Sequence, residues 1–257
     1  MKRIDLNADA GESFGAFTIG ADAELMPLVT SVSVACGLHA GDPSVIRRAV
    51  RLAKVHGVAV GAHPGFPDLT GFGRREMRLS PDEVEDLVLY QIAAVAGIAA
   101  AEGLRLQHVK PHGALFNMAA RDPALATAIA EAVAAFDPTL ILFGLAGSAL
   151  LGAGKARGLR VASEVFADRA YEPDGSLRAR THPDAVVRDP EAAAARAVRI
   201  VERGSVEAVD GTEVPLAADT ICIHSDTPGA ARIAAAVRRA LERAGITVTA
   251  VGRAARP

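Results

Sequence analysis

Four stretches of the chain set polar side chains on alternate or isolated strand positions, and each set is of a kind that does chemistry. Asp5, Asn7 and Asp9 alternate in Ile4-Asp-Leu-Asn-Ala-Asp-Ala-Gly-Glu12, and His108, Lys110 and His112 alternate in Leu106-Gln-His-Val-Lys-Pro-His-Gly113. Glu164 stands among apolar neighbours in Val161-Ala-Ser-Glu-Val-Phe166, and Cys222, His224 and Asp226 alternate in Ile221-Cys-Ile-His-Ser-Asp226. Successive side chains of a strand point to opposite faces, so Asp5, Asn7 and Asp9 share one face while Ile4, Leu6 and Ala8 share the other. Carboxylates facing a solid apolar core are costly, so this face is expected to look onto a polar cavity, a metal or a substrate.

Lys110 is the leading candidate, one of only four lysines and set within an apolar run. Burial and flanking positive charge would lower its pKa and make it a base; alternatively it stays charged and holds an anionic oxygen. A carboxyl group such as Glu164, held among apolar side chains, has a raised pKa suited to general acid or base work. Asp226 is a second candidate base, or else caps a helix opening at Thr227-Pro228. Cys36 and Cys222 read as small core residues.

Loops add further candidates. His39 lies between glycines in Ala35-Cys-Gly-Leu-His-Ala-Gly-Asp42, and His63 ends an apolar run in Gly61-Ala-His-Pro-Gly-Phe66. With Asp9 they make a two-histidine, one-carboxylate metal set, although a lone histidine is more commonly a hydrogen-bonded structural residue. Arg74 and Arg75, in the glycine-rich run Asp68-Leu-Thr-Gly-Phe-Gly-Arg-Arg-Glu-Met77, could fork onto a carboxylate or phosphate, or pair with Glu76, Asp82 or Glu83. Arg169, after Asp168, and His224 would complete the rim.

The elements that must hold these residues are legible from caps. Asp42-Pro43, Ser80-Pro81-Asp-Glu83, Asp122-Pro123, Asp189-Pro190 and Thr227-Pro228 each pair an N-cap residue with proline at the first helical position. Between the helices run seven short apolar segments: 4–8, 32–36, 58–62, 106–110, 140–144, 160–165 and 220–224. Strand then helix, repeated seven times, predicts an α/β fold with a parallel sheet, and a closed (β/α) barrel suits the count better than an open sheet. Such barrels place their chemistry at the carboxyl ends of the strands, where every polar set above sits. A single domain over residues 1–257 is expected, with a hairpin at 205–218 turning on Asp210-Gly211 and an accessory eighth strand within Thr247–Val251.

Bulk properties narrow the function. A formal net charge of −2 and 4% aromatic residues give no electrostatic or stacking case for nucleic acid. No uncharged apolar run reaches the roughly 18 residues of a membrane span, and the basic Met1-Lys-Arg3 leads into acids rather than a signal-peptide core. Two cysteines outside any disulfide-dense pattern suggest a reduced, cytoplasmic protein.

Five phrases, taken together and in order, resemble the LamB/YcsF family: Asp5-Leu-Asn-Ala-Asp-Ala-Gly-Glu12, Ala35-Cys-Gly-Leu-His-Ala-Gly-Asp42, His63-Pro-Gly-Phe-Pro-Asp68 through Gly71-Phe-Gly-Arg-Arg75, Val109-Lys-Pro-His-Gly-Ala-Leu115 and His224-Ser-Asp-Thr-Pro-Gly229. The resemblance implies an irregular seven-stranded TIM-like barrel similar to the glycoside hydrolase and deacetylase group. It also implies the A subunit of an ATP-dependent 5-oxoprolinase, which opens 5-oxo-L-proline to L-glutamate together with B and C subunits. Under that reading Asp9, Lys110, His112, Glu164 and Asp226 are the catalytic candidates, and Asn7, Arg74, Arg75, Arg169 and His224 the substrate-binding ones. ATP is then the co-substrate, although the chain contains no Gly-x-x-x-x-Gly-Lys-Ser/Thr phosphate loop. A divalent metal at Asp9, His39 and His63 is a further expectation, since related deacetylase-like barrels use one. The rival readings are a free-standing metal-dependent amide or sugar deacetylase-type hydrolase, and a non-catalytic subunit that binds a small acid.

Overall fold

The computed structural model describes residues 2–252, so residues 1 and 253–257 of the expected domain lie outside the description. Seven parallel strands close into a barrel: β1 (Arg3–Ala10), β2 (Ser31–Ala35), β3 (Ala59–His63), β4 (Leu106–Val109), β5 (Ile141–Leu145), β6 (Arg160–Phe166) and β9 (Thr220–Ile223). Each pairs with its sequence neighbour in the barrel, and β1 closes the ring on β9 with Asp5 opposite Thr220 and Asn7 opposite Cys222. The closed alternative is thus the one adopted, and closure is what points the polar rows of distant segments at one another.

The helices are α1 (Asp22–Leu25), α2 (Pro43–His56), α3 (Pro81–Ala101), α4 (Gly113–Ala119), α5 (Pro123–Phe136), α6 (Ala149–Ala156), α7 (Pro190–Arg203) and α8 (Ala230–Arg243). Four start as the caps predict. Asp42, Ser80, Asp122 and Asp189 accept hydrogen bonds from backbone N–H groups of the first turn, each ahead of a proline. Ser80 and Glu83 complete a reciprocal capping box. The fifth expectation is corrected: α8 opens at Ala230, after Gly229, and neither Asp226 nor Thr227 caps it. Asp226 has a stronger partner across the barrel mouth in Arg74, so its carboxylate is drawn away from the local N–H groups.

Outward-facing Leu6, Val32, Val34, Val60, Ala62, Val109, Leu142, Val165 and Ile221 are buried against this helical jacket. On α3, Val84, Val88, Ile92, Val95 and Ala99 form a stripe at helical spacing that belongs to the same core. Length and composition alone would let α3 cross a membrane; here that stripe lies on the barrel. Inside the barrel, His108 stacks on Phe143 with ring centroids 4.2 Å apart and its Nε2 lies 3.1 Å from Ser33 Oγ. Side chains therefore fill the barrel below the site as a plug, and the site's own cavity opens above them.

Two smaller features lie outside the ring. β7 (Ser205–Glu207) and β8 (Glu213–Pro215) pair antiparallel around Asp210-Gly211. β10 (Thr247–Val248), shorter than anticipated, pairs parallel with the start of β1.

Candidate active site

The upper ends of β1, β4, β6 and β9 converge on Lys110. Its ammonium lies 2.5 Å from Asp9 Oδ1 and 3.2 Å from Glu164 Oε1, donates to Asn7 Oδ1 at 3.1 Å, and stands 3.3 Å from Cys222 Sγ. Lys110, Asp9 and Glu164 are all buried. Burial alone would depress the lysine pKa, but Asp9 and Glu164 outweigh it and hold the ammonium well above its ordinary value. The ion pairs with Asp9 and Glu164 favour a charged Lys110 over a low-pKa base, and the sequence alone could not show this because closure brings those carboxylates from distant segments.

The two carboxylates differ. Asp9 is opposed by burial but held well below the usual carboxylate range by His63 and Lys110. Glu164 is pushed up, by burial first and by Asp9, with Lys110 opposing. Glu164 Oε1 accepts from Asn7 Nδ2 at 3.0 Å, whereas Oε2 is buried with no hydrogen-bond partner. Asn7 also donates to Thr220 Oγ1 at 2.7 Å and is wholly buried. It fixes the Lys110 and Glu164 head groups from below and does not line the pocket.

Above this cluster opens a cavity of about 360 Å³ whose walls include Asp9, His63, Lys110, His112, Glu164 and His224. Its mouth is cationic, carrying Arg74, Arg169, Arg178 and Arg180. Arg169 is buried, donating from Nε and Nη2 to the carbonyls of Ala185 and Arg178, and burial together with Arg180 lowers its pKa to about 10. Arg178 is paired with Glu172 and Asp184 and Arg74 with Asp226, so Arg169 and Arg180 are the guanidinium groups of this wall without a close carboxylate partner. His224 Nδ1 donates to Asp168, 3.0 Å from Oδ2, and its ring stacks on Phe166. Asp168, opposed by burial and stabilised by His224, stays below its ordinary pKa and fixes the ring through Nδ1, leaving Nε2 for another partner.

Two candidates stand apart from the pocket. Arg75 pairs with the buried Asp68 and donates to Thr70, its own side chain largely exposed, and it does not line the cavity. Asp226 takes Arg74 at 2.6 Å, and Arg180 stands 3.9 Å away; it tethers the mouth without lining the cavity. Arg180 itself went unread in the sequence, because the segment between β6 and α7 has no periodicity to fix which side chains turn inward.

The histidines also assemble differently from the expectation. His39, His63 and His112 come together with Glu12, one possible ligand atom from each lying within 4.8 Å of every other, and all four residues are buried. Asp9, the anticipated carboxylate of this set, lies 3.3 Å from His63 Nε2 but is committed to Lys110. Burial, reinforced by neighbouring imidazoles, holds His39 and His112 well below the ordinary imidazole pKa. Burial and the charges of Asp9 and Asp226 push Glu12 up. Glycines make room for the rings: a Cβ on Gly65 would stand 2.6 Å from His39 Nδ1, and one on Gly73 2.8 Å from both His112 and His39.

Comparison with known proteins agrees with this architecture. A model of the LamB/YcsF family matches residues 4–256. A protein of Chloroflexus aggregans, named as the A subunit of 5-oxoprolinase, is 60% identical over 248 residues, covering 96% of this chain and 98% of its own. One of Bacillus subtilis with the same name is 55% identical over 251 residues, covering 98% of each. The crystal structure of a lactam utilization protein from Thermus thermophilus is 58% identical, superposes with a TM-score of 0.91, and covers 96% of this chain and 99% of that one. With barrel and motif-bearing strands matched along nearly its whole length, the chain belongs to the LamB/YcsF family.

Proposed function

We propose that this chain is the lactam-opening subunit of an ATP-dependent 5-oxoprolinase, hydrolysing 5-oxo-L-proline to L-glutamate in the cytoplasm with B and C partner subunits. The observation that carries the reading is the buried Asp9–Lys110–Glu164 cluster, with Glu164 Oε2 unpartnered at the wall of a cationic, small-molecule-sized cavity. The names of the relatives supply the substrate.

A lactam is a poor electrophile, and transfer of the ATP γ-phosphoryl group to its oxygen activates the ring carbon. Glu164, with its raised pKa, takes a proton from water as the water adds to that carbon. Lys110 faces the oxygen bearing the phosphoryl group and stabilises its charge, whereas His112, expected beside it, has its one N–H committed to the Phe72 carbonyl. The C–N bond then breaks, His224 delivers a proton to the departing nitrogen, and γ-glutamyl phosphate is left. A second water releases phosphate and completes glutamate. Arg169 and Arg180 anchor the substrate carboxylate. ATP is held by a partner protein or by a surface of this chain unlike the common phosphate loop.

The test is glutamate formation from 5-oxoproline with and without ATP, for the chain alone and with its partners. Glutamate that requires ATP and disappears when this chain is omitted supports the reading. Turnover without ATP would identify a free-standing amide hydrolase instead, and no turnover with competent partners would overturn both.

A further inference from the structure

We infer that Glu12, His39, His63 and His112 form a binding site for one divalent transition-metal ion of the zinc or cobalt type, beside the pocket. The site is a property of the isolated chain and stands whether or not the lactam is its substrate. The hydrogen bonds of two rings carry the argument. His63 Nδ1–H donates to the Lys110 carbonyl at 2.7 Å, and His112 Nε2–H donates to the Phe72 carbonyl at 2.8 Å. A carbonyl accepts only from a protonated nitrogen, so the other nitrogen of each neutral ring carries a lone pair. Those two nitrogens, His63 Nε2 and His112 Nδ1, face each other 3.0 Å apart. Two lone pairs at that separation need a cation between or beside them.

A proton on His63 Nε2, facing Asp9 Oδ1 at 3.3 Å and His112 Nδ1 at 3.0 Å, would reconcile these two rings but would leave His39 unexplained. Its ring is fully buried, both nitrogens lack any hydrogen-bond partner, and it stacks on His112 at 3.9 Å with an interplanar angle of 3°. An unpartnered buried imidazole is costly, and coordination through one nitrogen removes much of that cost once the ring turns out of its parallel stack on His112, since two parallel rings cannot both aim an in-plane lone pair at one ion. Glu12 completes the set: Oε2 accepts from Ser225 Oγ at 2.8 Å, while Oε1 lies 3.7 Å from His112 Nδ1. Histidines whose second nitrogen is tied to a backbone carbonyl, and a carboxylate held by a hydroxyl, are the outer supports that metal ligands require. Three imidazoles and one carboxylate suit zinc, cobalt or nickel and do not suit magnesium or calcium, which take oxygen ligands. When bound, the ion supplies a fixed positive charge and a Lewis acid beside the pocket wall formed by His63 and His112.

The test uses the full-length chain, stripped with a chelator and titrated with Zn²⁺ and separately with Co²⁺. One ion per chain is expected, with visible Co²⁺ absorption bands of nitrogen coordination and a melting temperature that rises with ion concentration. His39→Asn and Glu12→Gln should each weaken binding by more than about tenfold. No saturable uptake by the unsubstituted chain would overturn the inference, as would unchanged affinity in both variants. Should either variant fail to fold in a melting experiment, the Co²⁺ spectrum of the unsubstituted chain decides alone: absence of nitrogen-ligand bands rejects the site. None of these readouts involves glutamate formation, so failure of the metal site and failure of the oxoprolinase reading remain separable.

Discussion

Asp5 and Asp9 sit four residues apart on one face of the same strand, yet they end in opposite environments. Asp5, near the base of the barrel, accepts from Thr30 at 2.6 Å, Ser31 at 2.7 Å and Thr220 at 2.6 Å. Its partners are neutral hydroxyls, and burial still raises its pKa. Asp9, at the top, meets the Lys110 ammonium and His63, and the cavity opens beside it. Around Asp5 both carboxylate oxygens find hydroxyl donors within the protein. In the upper layer charges are balanced while Glu164 Oε2 and both His39 nitrogens are left without protein partners. Incomplete satisfaction of buried polar atoms, rather than polarity itself, marks where a ligand belongs.

The sharpest way to break this contrast is to remove the cation of the upper layer. Lys110→Met leaves Asp9 and Glu164 buried without their ammonium, so turnover of the complete complex should fall by at least about 10²-fold and stability by about 3–5 kcal/mol. Glutamate assays and thermal unfolding check both, and a variant with near-normal turnover would remove Lys110 from the chemistry.

Glu164→Gln should separate catalysis from folding. Turnover is expected to drop by about 10²–10⁴-fold, the range for loss of a general base. Stability should fall less than in Lys110→Met, because Lys110 keeps Asp9. The pH dependence carries a sign: a base works deprotonated, and the pKa of Glu164 is raised. Activity should therefore decline as pH falls through a value above the ordinary carboxylate range, and that limb should vanish from whatever activity Glu164→Gln retains. An acid limb unchanged in the variant would assign it to another group.

Asp5→Asn tests the lower layer. Losing acceptor capacity to three hydroxyls, two of them buried, should cost about 1–3 kcal/mol in unfolding, with turnover per folded molecule unaltered. A large loss of turnover in a well-folded variant would show that the two layers are coupled. Arg75→Ala should do least. Its exposed side chain pairs with the buried Asp68 outside the cavity, so KM and turnover should both stay at the unsubstituted values, in contrast to Arg169→Gln, which should raise KM if it anchors the substrate carboxylate.

Local rules were sufficient for much of the scaffold. Four helix starts and seven strands follow from residues adjacent in sequence, since capping and alternation are local effects. Where a long-range partner competed, local reading failed: Asp226 faces Arg74, 152 residues away, instead of the start of α8. The short α4 and α6 carried no side-chain cap and went unread for that reason.

The sequence by itself therefore determined the barrel's rhythm and the face on which its polar residues lie, because a strand's period of two is written in its own residues. Which polar residues would meet was decided only by closure. Lys110 meets Asp9 from the first strand and Glu164 across 54 positions, and those encounters set its charge, assign Asp9 to it, and leave Glu12 beside the histidines. No local pattern encodes them, because charge state and ligand sets depend on distances fixed only once the ring of strands has closed.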